Sequence, residues 1–316
     1  MKSERVLGRK AKLGELIKFA YGIVHDYIKY GSTISDYFEL GFYNKSEDEK
    51  ATYLTNRLSD KVAFSLDSSD EIIRHHSKQY EYEELKQFFG REQLFLPQAN
   101  YDDFCAFVSK HPVFLFKPDT SDCGEGIQKI IVDDKNKEEV YNRLHAAHAV
   151  LDEPLRQHAE LSRLCPGSVN TIRVISAKVK DEVYILAAAL RIGSGTSLVD
   201  NYTAGGMVAA IDINNGVLID SAEDHTGNRY PEHPYTHVMF KGFQIPNWDK
   251  VLNLVKDAAL QYDLHYIGWD VAVRENDCVL VEANPRPMIH VFQIAGATGK
   301  RKEYEDIYNL WKQTVK

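Results

Sequence analysis

The feature that most constrains the fold is a segment near the end of the chain, residues 268–285, in which polar side chains interrupt two apolar runs. The runs GWDVAV and CVLVEANP predict the two strands of a hairpin that turns around Asn276. Asp270 lies six residues before that centre and Glu282 six residues after it, so a symmetric register sets their carboxylates opposite each other. Opposed residues in an antiparallel pair have Cβ atoms about 4.5–5.5 Å apart.

Two carboxylates held this close on buried strands repel each other, and a divalent cation removes the conflict. Asn284 lies two residues beyond Glu282, hence on the same face of the strand, and adds a neutral oxygen. An all-oxygen set of this kind suits Mg²⁺, which completes its shell with water and phosphate oxygens. The sequence therefore predicts a magnesium site at Asp270, Glu282 and Asn284. The alternative, a surface hairpin with incidental acids, is disfavoured by the apolar neighbours.

A second candidate site follows the apolar run at 113–116, where Lys117 leads into a glycine-containing loop. An ammonium group at the end of a buried strand indicates an anionic partner. The loop at 119–126 can turn its backbone N–H groups toward a phosphate, and Gly124 and Gly126 permit a close approach. It is not the P-loop pattern, since no Gly-Lys-Ser/Thr follows. The alternative is a lysine that only extends to solvent from a strand end.

Two arginines, Arg173 and Arg191, interrupt apolar strands predicted at 169–177 and 183–192. Arginine is seldom fully buried without an anion. Guanidinium groups also suit the charge that spreads over a phosphoryl group during transfer. We therefore predict a phosphate contact for Arg173, in preference to a structural ion pair with Asp270 or Glu282. For Arg191 a phosphate contact and a structural ion pair, with Asp270 or Glu282, remain equal alternatives.

The periodicity of the chain predicts an α+β fold in which helices come first. Apolar residues recur at helical spacing from Leu13 to Val24, and Ser46 with Glu49 forms a capping-box pattern at the start of another helix. Beyond residue 112 short strands dominate, and the turn at 214–216 indicates antiparallel pairing rather than a βαβ repeat. The helical first third carries no chemistry that the sequence reveals.

Composition narrows the classes of function. The 316 residues carry a net charge of −8, which gives no basic footprint for nucleic acid or an anionic membrane. Four scattered cysteines without a CxxC pair are typical of reduced thiols. There is no signal-peptide pattern and no apolar stretch long enough to span a bilayer. We therefore expect a cytoplasmic protein with no nucleic-acid partner and no integral membrane segment.

The pattern of Asp270 and Glu282-x-Asn284 across a C-terminal hairpin resembles the ATP-grasp superfamily. The closer resemblance is to the sugar-transfer-associated ATP-grasp proteins of surface-polysaccharide gene clusters. It rests on short segments in a shared order, which together cover most of the chain from about residue 61. They are DYF at 36–38, QHAEL at 157–161, SVNTIR at 168–173, DNYTAGG at 200–206 and IGWDVA at 267–272.

The resemblance implies an ATP-grasp fold, two α+β lobes clamping ATP, behind a mostly helical N-terminal region. The expected divisions are a helical region at 1–95, a small lobe with the phosphate loop at 96–155 and a C-terminal lobe with the metal site at 156–316. ATP and Mg²⁺ are the implied cofactors.

The resemblance also implies nucleotide contacts. Lys117 would bind the phosphates, Glu153 and Leu155 would lie at the adenine side of a hinge, and Glu160 would lie near the ribose. Asn201 resembles an Asn that follows the two arginines in peptide-forming ligases. Arg286 departs from the small or aromatic residue usual after Glu-x-Asn-Pro, which suggests a role toward this protein's own substrate.

The implied reaction is that of a carboxylate–amine ligase in surface-polysaccharide or glycoconjugate biosynthesis. ATP converts the acid to an acyl phosphate, an amine attacks it, and Lys117, Arg173 and Arg191 act as catalytic cations. The partners would be small acids and amines, including sugar-linked ones. Two alternatives remain open: a sugar or small-molecule kinase with the same metal site, and a non-catalytic nucleotide-binding module, which the complete Asp270, Glu282 and Asn284 set disfavours. Neither the two substrates nor the oligomeric state can be predicted from the sequence.

Overall fold

The N-terminal part of the chain is helical, as its periodicity predicts. The computed structural model describes residues 7–118, 126–147, 149–195, 205–294 and 296–314. Ser46 accepts a hydrogen bond from the backbone N–H of Glu49, whose carboxylate accepts one from Ser46 in return, which is the predicted capping box. The helices of this part are α1 Leu13–Tyr30, α2 Ile34–Glu39, α3 Glu47–Thr52, α4 Asn56–Leu66, α5 Ser69–Arg74 and α6 Lys78–Phe89.

A small antiparallel sheet follows, with strand order β1-β4-β2-β3. Phe104 and Phe107 of one helix and Leu144 of the other pack on Phe114 and Leu151 of the strands. The first strand begins before residue 96, so this sheet includes residues that the sequence assigned to the helical region. The elements are β1 Gln93–Phe95, α7 Tyr101–Lys110, β2 Val113–Pro118, β3 Gln128–Ile131, α8 Lys137–Ala146 and β4 Ala149–Asp152.

A larger antiparallel sheet occupies the rest of the chain, in the order β10-β9-β7-β6-β5-β11-β12, with β8 paired to β7. Gly216, in the predicted turn before β8, has the positive φ of 74° that such a turn requires. The elements are α9 Ala159–Leu164, β5 Ile172–Val179, β6 Glu182–Ile192, β7 Met207–Asp212, β8 Val217–Leu218, β9 Ala222–Asp224, β10 Arg229–Tyr230, α10 Trp248–Gln261, β11 Tyr266–Val273, β12 Cys278–Asn284 and α11 Arg301–Thr314.

Both faces of the larger sheet are covered, which is why its central strands read as continuous apolar runs. Helix α10 covers one face through residues such as Val251 and Val255. On the other face, α4 and α11 pack through residues such as Val62 and Ile307. Polar groups on these strands are therefore buried unless they lie at an edge of the covered area. None of the described helices combines the length and apolar character needed to cross a bilayer.

Candidate functional site

A row of charged residues runs across β12, β11 and β5. Asp270 is paired in register with Glu282 on one side and with Arg173 on the other. The opposition of the two acids is the one that the symmetric hairpin predicts. The ladder is irregular directly after it, however, because Val271 pairs with Leu280 and Val281 is left as an extra, bulged residue.

Asp270 is buried, with 2% of its surface exposed, and it is neutralised by two arginines. Arg173 binds it with two nitrogens, one of them Nη2 at 2.8 Å from Oδ2, and Arg191 Nη1 lies 2.7 Å from the same oxygen. Burial alone would raise the pKa of Asp270, but the charges of the two guanidinium groups outweigh it and hold that pKa below its usual value. Asp270 is therefore an anion at neutral pH.

This geometry gives each arginine an anionic partner inside the protein, and the phosphate contacts stay predictions. The structural ion pair left open for Arg191 is present, and Arg173, for which the sequence predicts a phosphate partner, contacts the same carboxylate. The ion pairs account for two cations on otherwise apolar strands. They also place groups that can bind phosphate in direct contact with a carboxylate that can bind a metal ion.

The predicted metal ligands differ in how accessible they are. Glu282 and Asn284 are half-buried, and the Glu282 carboxylate makes no hydrogen bond to any residue that the structure describes. Both oxygens of Asp270, in contrast, accept hydrogen bonds from guanidinium groups. Two carboxylates and an amide are the donor types that Mg²⁺ prefers, so the set fits this ion in kind. A cation can share Asp270 only if an arginine gives up part of its contact.

Lys117 has an anionic partner inside the protein. Its Nζ lies 2.5 Å from Oδ2 of Asp152, at the end of the neighbouring strand β4. Arg91 Nε lies 2.6 Å from the other oxygen of Asp152, and Gln93 donates to that oxygen at 2.8 Å. Burial opposes ionisation of Asp152, but Arg91 and Lys117 lower its pKa well below the usual range. In this structure Lys117 pairs with Asp152, and its predicted phosphate contact stays a prediction.

Arg91 joins the small sheet to the larger one. Besides Asp152 it binds the backbone carbonyls of Leu280, at 2.5 Å, and Val281, at 3.2 Å. These carbonyls belong to the bulge beside Glu282, where the regular ladder is interrupted. A single buried guanidinium therefore binds the end of β4 and the irregular part of β12 at once, because its five donors can serve both.

A third acid lies close to the predicted metal ligands. Glu81, on α6, is buried and accepts a hydrogen bond from the backbone N–H of Ala283. Burial, together with the charge of Glu282, raises the pKa of Glu81 to about 8. It is therefore mostly uncharged at neutral pH, so it adds little negative charge beside Glu282.

The residues predicted at the hinge lie together, whereas Glu160 lies apart. Glu153 and Leu155 line a cavity of about 400 Å³ with Arg91 and the turn at 274–277. Glu153 also accepts a hydrogen bond at 3.0 Å from the backbone N–H of Glu92. Glu160 is exposed on α9, where it pairs with Arg163 at 2.6 Å, an ordinary surface contact.

Some predicted residues fall where the structure gives no description or a different partner. Gly124 and Asn201 lie outside the described residues. Gly126 is described and has a positive φ of 76°. Arg286, for which a substrate role was suggested, binds Asp60 of α4 at 2.7 Å and lies over the ring of Phe64. In this structure Arg286 therefore connects the segment after β12 to the N-terminal helices.

The helical region is tied to the segment after the hairpin by a buried histidine. His290 lies 3.0 Å from Asp36 and 2.9 Å from Glu39, both on α2. Burial disfavours the charged ring, but the hydrogen bonds that the ring donates to the two carboxylates prevail and raise the pKa of His290 to about 9. The N-terminal helices are thus bound to the residues that follow the predicted metal ligands.

Four residues of this neighbourhood were not singled out by sequence reasoning: Glu81, Arg91, Asp152 and His290. Asp152 offered a signal, because it ends the apolar run at 149–151. Glu81 offered none, because an acid in a polar helix normally faces solvent. Arg91 and His290 contact partners that are more than sixty residues away in sequence.

Comparison with known proteins agrees with the fold. A family model described as sugar-transfer associated ATP-grasp matches residues 85–309, more than two thirds of the chain. No curated protein matches the sequence. Several solved structures do resemble it at low identity, and all three described next are ATP-grasp or carboxyaminoimidazole ribonucleotide enzymes.

The ATP-grasp ligase PsnB, solved with a minimal precursor, Mg and ADP, is 15% identical with a TM-score of 0.47, covering 78% of this chain and 62% of PsnB. The chain therefore spans about three fifths of the length of that ligase. A RiPP-associated ATP-grasp ligase from Chryseobacterium gregarium, in complex with ADP and peptide, is 16% identical with a TM-score of 0.48, covering 82% and 67%. Carboxyaminoimidazole ribonucleotide synthase from Aspergillus clavatus, complexed with ATP, is 14% identical with a TM-score of 0.44, covering 74% and 52%. On the strength of the family match, the chain belongs to the sugar-transfer associated ATP-grasp family and has its fold.

Proposed function

We propose that the protein is an ATP-dependent carboxylate–amine ligase that activates an acid as an acyl phosphate. The observation that carries the proposal is the charged row itself. Glu282, Asp270 and Arg173 occupy paired positions on three strands, and Arg191 reaches the same carboxylate. A site that offers both anions for a cation and cations for a phosphate matches what phosphoryl transfer needs.

The ion pairs suit an exchange of partners when the nucleotide binds. Asp270, Glu282 and Asn284 would hold Mg²⁺, which when bound neutralises charge on the phosphate oxygens. Arg173 and Arg191 would then donate to phosphate oxygens in place of Asp270. Each buried charge keeps an opposite charge throughout, which avoids the large cost of an unpaired buried ion.

Lys117 would contribute in the same way from the small sheet. It is paired with Asp152. Arg91 binds both Asp152 and the backbone carbonyls of Leu280 and Val281, next to Glu282, so Lys117 lies close to the charged row although it belongs to the other sheet. Its single mobile ammonium can turn from Asp152 toward a phosphate, because Arg91 and Gln93 continue to satisfy that carboxylate.

The second substrate has a suitable cavity next to this row. The cavity measures about 600 Å³ and is bounded by the α2 region, the β9–β10 hairpin and the segment after residue 292. Arg191 pairs with Val208, and Val208 pairs with Glu223, which lines the cavity. Paired residues on neighbouring strands share a face, so two strand spacings put Glu223 about 10 Å from Arg191.

The lining of this cavity indicates the chemistry of the substrate. It combines the carboxylates of Glu39 and Glu223 with the cations of Lys45 and Arg229, and Tyr43 adds an aromatic surface. Such a mixture suits a hydroxyl-rich molecule with an amino or carboxyl group. With the family's description as sugar-transfer associated, this supports sugar-linked substrates and a role in surface-polysaccharide or glycoconjugate biosynthesis.

The reaction then needs no protein nucleophile. A carboxylate oxygen of the acid attacks the γ-phosphorus, the bond to ADP breaks and an acyl phosphate forms. The amine attacks the acyl carbon, phosphate leaves and the amine loses a proton to solvent. Lys117, Arg173 and Arg191 would stabilise the charge that develops on the transferred phosphoryl group, so catalysis rests on positioning and electrostatics.

The experiment is a hydroxylamine trap. Purified protein is incubated with ATP, Mg²⁺, hydroxylamine and a panel of acids that includes uronic acids, and hydroxamate and ADP are measured together. We expect one acid to give hydroxamate in step with ADP, and the matching alcohol to give neither. A stable phosphorylated alcohol, with ADP but without hydroxamate from any acid, would refute the ligase and favour the kinase. Glu282→Gln serves as the control that removes turnover.

A further inference from the structure

Helix α1 carries an apolar stripe that no described residue covers. Its inner face, with residues such as Phe19, Ile23 and Tyr30, packs on the aromatic cluster of the α2 region. On the opposite face five large apolar residues are between 58% and 77% exposed. They are Leu13, Ile17, Tyr21, Val24 and Ile28. At 100° per residue they fall within an arc of about 80°.

Most of the charged residues of α1 near this stripe are cations. Lys18 and Lys29 lie beside it and are exposed, and Lys10 and Lys12 precede it. Lys29 is paired with Glu47 of α3 at 2.6 Å, whereas Lys18 is exposed further along the same side. The two acids of the helix lie on the other face, where Glu15 is paired with Arg9 and Asp26 is buried against Lys50. An apolar stripe flanked mainly by cations is the arrangement of helices that lie in a membrane interface.

The N-terminal segment is positively charged although the whole chain is negative. Residues 1–30 contain seven Lys and Arg against three Asp and Glu, in a chain whose net charge is −8. Positive charge is thus concentrated in the part of the sequence that contains the apolar stripe. Two copies of this face would bring lysines against lysines, whereas an anionic lipid surface attracts them.

We infer that α1 binds the surface of an anionic membrane, with Leu13, Ile17, Tyr21, Val24 and Ile28 at the level of the lipid headgroups and acyl chains. The helix lies in the plane of the interface and does not span the bilayer. The cations contact lipid phosphates, and Tyr21 supplies the kind of amphipathic ring that favours this depth. The enzyme would thereby be held at a surface where lipid-linked substrates are available.

The test is co-sedimentation of the full chain with vesicles. One set contains phosphatidylcholine only, and the other contains phosphatidylglycerol as well, at about one part in three. We expect binding to the anionic vesicles that falls at least tenfold in Ile17→Glu/Ile28→Glu and weakens in high salt. The matched control is Ile73→Glu/Ile131→Glu, which alters two equally exposed isoleucines elsewhere and should bind as the unchanged protein does.

A second readout locates the contact. Tyr21→Trp places an indole in the stripe, and its emission should shift to shorter wavelength with anionic vesicles. All variants should bind an ATP analogue equally, which shows that they are folded. Equal binding of the stripe and control variants to vesicles, or no binding by the unchanged chain, would overturn the inference. So would a dimer that Ile17→Glu/Ile28→Glu converts to monomer, because the stripe would then be an interface between copies.

Discussion

Replacing Asp270 by Asn tests the charged row most directly, because the structure separates its structural and functional parts. Asp270 is buried and holds two guanidinium groups. Removing one partner from a buried ion pair typically costs about 3–5 kcal/mol, since the remaining charge loses its counterion. For a chain of this size each kcal/mol lowers the Tm by roughly 2–4 °C. We therefore expect a Tm at least about 6 °C below that of the unchanged protein.

Glu282→Gln is the matched control. Glu282 is half-buried and has no hydrogen-bonded partner within the described ranges, and it lies beside the buried Glu81. Its neutralisation should change stability by less than about 1 kcal/mol. Both variants should lose Mg²⁺-dependent ADP formation, because each removes a carboxylate from the metal set. Loss of activity without loss of stability thus distinguishes Glu282 from Asp270.

Calorimetry and a coupled ADP assay measure the two quantities. A double variant tests whether the unpaired arginine causes the loss. Arg173→Met in the Asp270→Asn background should recover part of the lost stability, because it removes a cation that has no counterion. The double-mutant cycle then reports coupling between the two positions. A Tm for Asp270→Asn equal to that of the unchanged protein, or additive effects in the cycle, would refute the reasoning.

Three further predictions follow from other contacts. Lys117→Ala should weaken the binding of an ATP analogue by roughly ten- to a hundredfold, the usual effect of losing a charge-assisted contact of about 1.5–3 kcal/mol. Lys135→Ala, at an exposed position, should leave that affinity unchanged. Equal affinities of the two variants in calorimetry would mean that the phosphates bind elsewhere. The pKa of His290 is raised to about 9, so its protonated ring adds about 3 kcal/mol to the free energy of unfolding. This contribution is fully present below about pH 6.5 and is lost as the pH rises through 9. His290→Gln should flatten that part of the urea-measured stability profile. Gly216→Ala should lower the Tm, since φ is 74° and a Cβ would lie 2.4 Å from Trp248; an unchanged Tm would contradict this.

The sequence was informative where structure depends on short-range pattern. The capping box at Ser46 and the helical spacing from Leu13 to Val24 follow from short-range pattern alone, and the structure contains both. The symmetric count about Asn276 also pairs Asp270 with Glu282. It would equally pair Val271 with Val281, however, whereas the bulge pairs Val271 with Leu280. A bulge depends on what the freed carbonyls can bind, and that partner is Arg91, about 190 residues earlier in the chain.

Sequence reasoning was least informative about charge balance. It treats Asp270 and Glu282 as two repelling acids that require a cation, and Lys117 as a cation that requires a phosphate. In the folded chain Arg173 and Asp152 supply counterions from other elements. Which charges become neighbours depends on how the two sheets pack, and no local spacing records that. The α+β class and the family were accessible because they rest on many short segments in order.

The Arg91 contact restricts how the small sheet can move relative to the larger one. One guanidinium holds the end of β4 and the bulge of β12, so the two sheets cannot separate at that edge. We expect a rigid rotation of the small sheet to pivot at this contact, so that each atom would travel in proportion to its distance from Arg91. Lys117, bound to the same Asp152, sits near the pivot and keeps its place relative to Glu282. Strand β3, two strands or about 10 Å from β4, moves furthest. Under the proposed function, ATP would therefore enter from the side of β3 while Lys117 and Glu282 keep their relative positions.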